Sequence, residues 1–362
     1  MSAVLLLLHA VPSFSCTSVI ISGRVTENGR PVMLKHRDTG ELNNRIERFK
    51  GEKYDFIALV DYAWRTQPMA PLPPGGGEAW TGTNSAGFSI MNTATYDLKN
   101  DDVPDSAMDR EGIVMYRALE ICRNLEDFEN LLDTLTRPMG VEANFGVIDA
   151  EGGAAYYEVC NDRWGKFDVN AIPAGYRVVT NFTETGRVED RKGVDRYQVA
   201  SALFAGLSAE EVAKVDHKFI FNRISRSGKP ILRDITSASI VIEGVKAGAD
   251  PLQTVMWTLL GWPETAVYVP LMVMDSDFLP FYVKGEEAEG HSLMCDNALR
   301  MKPQDLSEIC RKTEAFVDGQ FEMLYGGWVD GSLSKPYFLR GYLMLLNNYF
   351  NVYSNNFAQY LR

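Results

Sequence analysis

Residues Pro12-Ser13-Phe14-Ser15-Cys16-Thr17-Ser18 close a short apolar run that begins at Val4, and they set a cysteine directly behind a small-x-small pattern. With residues 4–8 as its apolar core, this pattern reads as a leader over residues 1–15 that is removed on maturation, leaving Cys16 first in the chain. A cysteine attacks a carbonyl carbon only as thiolate, so it needs a base or a positive charge beside it. Cleavage after Ser15 would supply the base, because the freed α-amine of Cys16 belongs to a class of group that titrates at about pH 7.7–8.0. Nucleophile and base then share one residue, and no histidine is required. The chain has only four histidines, and none stands in the sequence context of a Cys–His pair.

The elements that must position Cys16 begin with a hairpin. Two strand-like runs, T-S-V-I-I-S and P-V-M-L-K-H-R-D, flank Asn28-Gly29, a dipeptide suited to a tight turn with left-handed central residues. A tight turn there puts Val19 opposite Asp38 and Thr17 opposite Gly40, which carries Arg37 and Asp38 back beside Cys16. Adjacent residues on a strand face apart, and this favours Asp38 over Arg37 as the side chain that reaches the cysteine. Further strands are expected at 56–62, 176–181, 237–243 and 266–274. Two more hairpins are expected, one turning at Asn84 to Gly87 and one around Glu151-Gly152-Gly153. Apolar positions keep helical spacing from 109 to 135 with a break near Asn124, and again at 194–207, 209–215 and 251–260. The aromatic tail from 336 to 362 reads as a terminal helix. Residues 68–77 form a Pro/Gly-rich loop that, with Trp80, could close over a substrate. Segregated hairpins and helical blocks point to an α+β layered fold, and with no linker dividing the chain, 16–362 is expected to be one domain.

The opening C-T-S-x-x-x-x-G, followed by the Asn-Gly hairpin and H-R-D, resembles that of the N-terminal-nucleophile hydrolases that use cysteine. This superfamily includes choloylglycine (conjugated bile acid) hydrolases, penicillin acylases and acyltransferases, and cysteine dipeptidases. Four later stretches fit in order: G-T-N-S-A-G-F at 82–88 followed by Asn92, F-G-V-I-D-A-E-G-G-A-A-Y-Y-E at 145–158, V-V-T-N-F at 178–182, and D-R-Y-Q-V-A at 195–200. The resemblance implies a four-layer αββα sandwich of two antiparallel sheets flanked by helices. It also implies hydrolysis of a small-molecule linear amide through an acyl-thioester on Cys16, with a dipeptidase or an acyltransferase as the alternatives. By the same resemblance, Asp38 orients the amine and Arg37 adds positive charge nearby. Asn181 offers its NH₂ to the tetrahedral oxyanion, Asn92 or Asn84 supplies a second donor, and Arg196 stabilises the nucleophile end. One departure stands out: bile acid hydrolases place an arginine and an aspartate three apart, whereas Arg37 and Asp38 are adjacent.

Composition excludes several other classes. A net charge of −12 and a pI near 5.0 disfavour a nucleic-acid partner or an anionic membrane surface, and no apolar run is long enough to span a bilayer. The cysteines beyond Cys16, namely Cys122, Cys160, Cys295 and Cys310, have no metal-type spacing, although a Cys295–Cys310 bridge is conceivable in an oxidising compartment. No motif for a metal or organic cofactor is present, and the thioester mechanism needs none. The leader implies a secreted or periplasmic protein. The rival from another class is a surface lipoprotein, anchored through Cys16, that binds ligands on a catalytically dead hydrolase fold.

Overall fold

A computed structural model describes residues 15–61, 77–274, 278–284, 294–295 and 306–357. The expected leader up to Phe14 and the loop at 68–76 lie outside the described residues.

Two antiparallel sheets form the centre. One has the strand order β10-β1-β2-β11-β12-β13, built from β1 (Ser15–Ile21), β2 (Val32–Asp38), β10 (Tyr176–Val179), β11 (Thr236–Glu243), β12 (Val255–Leu260) and β13 (Val269–Leu271). The other runs β3 to β9 in chain order: β3 (Asn44–Phe49), β4 (Phe56–Asp61), β5 (Thr81–Asn84), β6 (Ser89–Ala94), β7 (Ala143–Ile148), β8 (Ala154–Val159) and β9 (Trp164–Asp168). The sheets stack through β1 on β6 and β8, and β2 on β7. Helix α1 (Glu111–Ile121) packs on β5 and β6 and is followed by α2 (Leu125–Thr134). On the outer face of the six-stranded sheet, α3 (Val194–Ala205) packs on β10, and the short α4 (Ala209–Ala213) leads to α5 (His217–Ile220) on β11. Helix α6 (Leu306–Val329) packs on β13 and pairs with α7 (Lys335–Phe357). The layers are therefore helix, sheet, sheet, helix, an α+β sandwich.

Local chemistry explains most boundaries. Asn124 breaks the first helical stretch by capping α2, its side chain accepting the Asp127 N–H at 3.0 Å. Residues 251–260, expected to be helical, are instead a short turn followed by β12. Every residue of V-M-W-T-L-L is buried, so the run has no polar face to betray its period, and pairing on both sides decides the outcome. The β1–β2 hairpin forms with a different register from the one expected: Val19 faces Leu34, Cys16 faces Arg37 and Ser15 faces Asp38. The ladder stops at Ile21, Ser22 N–H turns to Gly175 O, and Pro31 has no N–H to give, so the connection is longer than a two-residue turn. Cys295 and Cys310 are free thiols bonded to Leu42 O and Glu264 O, so no bridge joins them.

Away from Cys16, a buried clasp ties α6 to the six-stranded sheet. His217 lies between Glu243 (Nδ1–Oε1 2.9 Å) and Asp318 (Nε2–Oδ1 3.2 Å) and stacks on Trp257 at 3.6 Å, while Tyr268 donates to Asp318 and Arg30 approaches Glu243. Burial opposes charge on this imidazole, but the two carboxylates outweigh it and raise its pKa from 6.5 to about 9. The folded chain thus holds this proton more tightly than the unfolded one. The stabilisation, on the order of 3 kcal/mol, is complete below pH 6.5 and fades as pH climbs through about 9. Thermal unfolding followed from pH 6.5 to 9.5 should show this decline, and His217→Gln should flatten it; a parallel decline in the variant would disprove the assignment.

Candidate active site

Cys16 sits at the start of β1 and is buried. Alternation along the strand fixes its direction. Ile20 reaches the backbone at Gly146 in β7, and Ser18 receives the Tyr156 hydroxyl from β8 at 3.1 Å, so Cys16, Ser18 and Ile20 all face the second sheet. Their partners across the ladder, Arg37, Lys35 and Met33, share that face.

The backbone nitrogen of Cys16 donates to Asn181 Oδ1 at 2.7 Å. The same oxygen accepts from Arg196 Nη2 at 2.6 Å, while Arg196 Nη1 donates to the Cys16 carbonyl and to Thr17 Oγ1 at 3.2 Å. Asn181 therefore meets the cysteine nitrogen through its oxygen, while its Nδ2, the group expected to serve the oxyanion, donates to Ala94 O at 2.7 Å. Two donors converging on one oxygen fix the orientation of this carboxamide. Arg196 reaches across because Gly193, which caps α3 with φ 71°, has no side chain: a Cβ there would collide with the guanidinium.

Lys35 is a residue that sequence reasoning missed. Fully enclosed, its Nζ crosses between the sheets to donate to the Asn92 carbonyl and to Asn92 Oδ1 at 2.7 Å, and Lys35 is the diagonal neighbour of Cys16 on the same face of the adjacent strand. Burial pulls its pKa below the usual ammonium value, with Arg37 adding to the effect and the Cys16 and Asp61 charges opposing it. Asn92 thus serves the site by holding this amine. The signal was available, since Lys35 stands three residues before Asp38, the spacing that the resemblance assigns to an arginine.

Arg37 and Asp38 do face apart, but Arg37 is the one on the side of Cys16. It pairs with Asp61 through two bonds of 2.7 and 2.8 Å and lies over the Trp80 ring at 5.1 Å. Asp38 lies on the helix-facing side, across from Ser15, where Oδ1 accepts from Thr236 at 2.6 Å and Arg233 stands 3.7 Å from Oδ2. Asp38 Oδ2 is buried and has no hydrogen-bond partner. Burial raises its pKa to about 6, against the pull of Thr236, Arg196, Arg233 and Lys35. His36 shares this outer face, and burial lowers its pKa to about 3, so it is a neutral ring directed away from the thiol.

Asn84 does not belong to the site. Its Nδ2 donates to Leu119 O and Cys122 O at the end of α1, and its Oδ1 accepts from Ala86 N and Phe88 N, so it closes the β5–β6 turn on the far side of the second sheet. Both ends of this carboxamide are spent on backbone. On the Ser15 side of Cys16, a cavity of about 550 Å³ is lined by Ser15, Arg196, Lys192, Lys229 and Arg233, with Asp195 and Asp234 as the acidic members. The site thus joins a buried thiol, an amine on the same face of the ladder, a fixed backbone nitrogen and, on the strand across from Ser15, a carboxylate oxygen without a hydrogen bond.

No family model matches the chain, and no curated protein matches it. Among solved structures it is similar to a Caenorhabditis elegans ortholog of N-acylethanolamine-hydrolyzing acid amidase, at 14% identity over 65% of this chain and 95% of that one, with a TM-score of 0.47. It is also similar to a mutant of conjugated bile acid hydrolase from Clostridium perfringens, at 10% identity over 71% and 92%, with a TM-score of 0.44. A third similar structure is penicillin V acylase from Agrobacterium tumefaciens, at 13% identity over 72% and 87%, with a TM-score of 0.40. These are partial overlaps at low identity, and what the site can do is carried by its own side chains.

Proposed function

We propose that the chain hydrolyses linear amide bonds of small molecules, with Cys16 as nucleophile once residues 1–15 have been removed from an exported precursor. The observation that carries this reading is the setting of the Cys16 nitrogen. It is held 2.7 Å from Asn181 Oδ1, and Asp38 Oδ2, which has no hydrogen bond, lies on the neighbouring strand across from Ser15. Cutting the Ser15–Cys16 bond turns that nitrogen into an amine, with Asn181 and Asp38 as acceptors for its protons. The Cys16 thiolate attacks the amide carbon, and the carbonyl π electrons move to oxygen, where the Asn92 carboxamide is the proposed donor. Collapse breaks the C–N bond, and the leaving nitrogen takes the proton that came from the thiol. A water molecule then cleaves the thioester, releasing the acid and restoring the thiol.

The test uses mature protein incubated with glycine and taurine conjugates, N-acyl amino acids and dipeptides, scoring released amine, alongside its intact mass. Amine release from at least one class, by a chain that starts at Cys16 and carries a transient acyl adduct there, is the expected result. A mature chain that retains residues before Cys16, or a lipid mass on that residue, would overturn the proposal. The class that is turned over decides between acylase and dipeptidase.

A further inference from the structure

The contacts of Lys35 specify more than a positive charge. A neutral amine offers two N–H donors and one lone pair, whereas an ammonium offers three donors and no acceptor. Lys35 Nζ bonds two carbonyl-type oxygens, both belonging to Asn92, and the nearest acidic side chain on its own face of the β1–β2 ladder is its diagonal neighbour Cys16. The Asn92 oxygens take both N–H bonds of a neutral amine, and the remaining lone pair is left for the S–H. An arginine at this position could not do this, since guanidinium has no lone pair to offer.

We propose that Lys35 Nζ is the acceptor of the Cys16 thiol proton, a second base in the site beside the α-amine of Cys16. The inference rests on the amide-hydrolase reading for its role in turnover, but the proton transfer is a property of the chain without substrate. The lone pair on Nζ takes the hydrogen of Sγ–H, leaving a thiolate and an ammonium whose third N–H now donates to the sulfur. No other reactant is consumed. When the tetrahedral intermediate collapses, the ammonium returns that proton, directly or through the α-amine, to the departing nitrogen. Burial lowers the pKa of this ammonium and so eases its loss of a proton, Arg37 on the same face adds to that, and Cys16 and Asp61, the latter already paired with Arg37, act in the opposite sense. The pair therefore stores one proton that it can pass without exchange with solvent.

Two substitutions and two readouts test this. Lys35→Met should slow alkylation of Cys16 by iodoacetamide at neutral pH at least tenfold and cut kcat/KM by about 10²-fold, the usual size of a lost proton-transfer group. Lys35→Arg keeps the charge but not the acceptor. It should alkylate at a rate close to that of the parent while kcat still falls by an order of magnitude or more and its pH profile steepens. Full turnover in Lys35→Arg would show that charge alone is at work and would overturn the proposal, as would unchanged alkylation in Lys35→Met. Alkylation needs no substrate. If the parent protein turned over no amide while Lys35→Met still lost alkylation, the hydrolase reading would fail and the proton transfer would stand.

Discussion

Replacing Cys16 with alanine is expected to lower kcat/KM by on the order of 10⁴-fold or more, the scale on which enzymes lose activity with their nucleophile. No other cysteine can substitute. Burial pushes Cys122 and Cys310 up to about 12 and also raises Cys160, the buried Cys295 thiol is bonded to Leu42 O, and none of the four lies on β1 or β2. The substitution removes a single sulfur from a small buried side chain, so the unfolding free energy should change by only about 1 kcal/mol. Initial rates on whichever amide the parent cleaves, measured beside a thermal unfolding curve, separate the two effects. A folded Cys16→Ala protein with undiminished turnover would refute the assignment of the nucleophile.

Arg196→Ala should produce the second largest effect. One guanidinium serves the Cys16 carbonyl, Thr17 Oγ1 and Asn181 Oδ1. Its loss strands buried acceptors at about 1–3 kcal/mol each, so a destabilisation of about 3 kcal/mol is expected. It also frees Asn181 to rotate. A displacement of the nucleophile by about an ångström can cost on the order of 10²-fold in rate, and the loss should appear in kcat more than in KM. Arg196→Lys should recover stability better than rate, because one ammonium nitrogen lacks the planar pair of nitrogens that reaches the Cys16 carbonyl and Asn181 Oδ1 at once. Equal recovery of both by lysine would mean that Arg196 acts by charge alone.

Much of the framework could be read from local chemistry. The turns at Asn84–Gly87 and at Glu151-Gly152-Gly153 require left-handed backbone at glycine, and Gly87 and Gly152 indeed have φ of 75° and 98°. Asn124 announced a helix start through its capping side chain. Long-range placement was less legible. The β1–β2 register depends on where the ladder lets go near Ser22, which is decided by Gly175 from the neighbouring strand and not by the Asn-Gly dipeptide. β12 carried no periodicity because both its faces are covered. β3 escaped notice because Arg45 and Glu47 look like surface residues, yet they pair with each other at 2.5 Å in the interior. Lys35 lay hidden for a related reason. A lone lysine in an apolar strand gains meaning only when Asn92, far along the chain, arrives to hold it. Asn84 and Asn181 are the same residue type in similar glycine- or threonine-flanked settings, and only the partners supplied by α1 in one case and by Cys16 and Arg196 in the other set their roles apart.

Because Cys16 belongs to an interior strand, its aim is quantised. Sliding β1 past β2 by a single rung would turn the sulfur toward the helices and leave Lys35 facing a neighbour of opposite parity. The far end of that hairpin lies about 20 Å away, at roughly 3.3 Å per residue, and answers to no such constraint. Lengthening the bend between Ser22 and Pro31 should therefore leave the chemistry untouched, whereas inserting one residue within either strand should silence it.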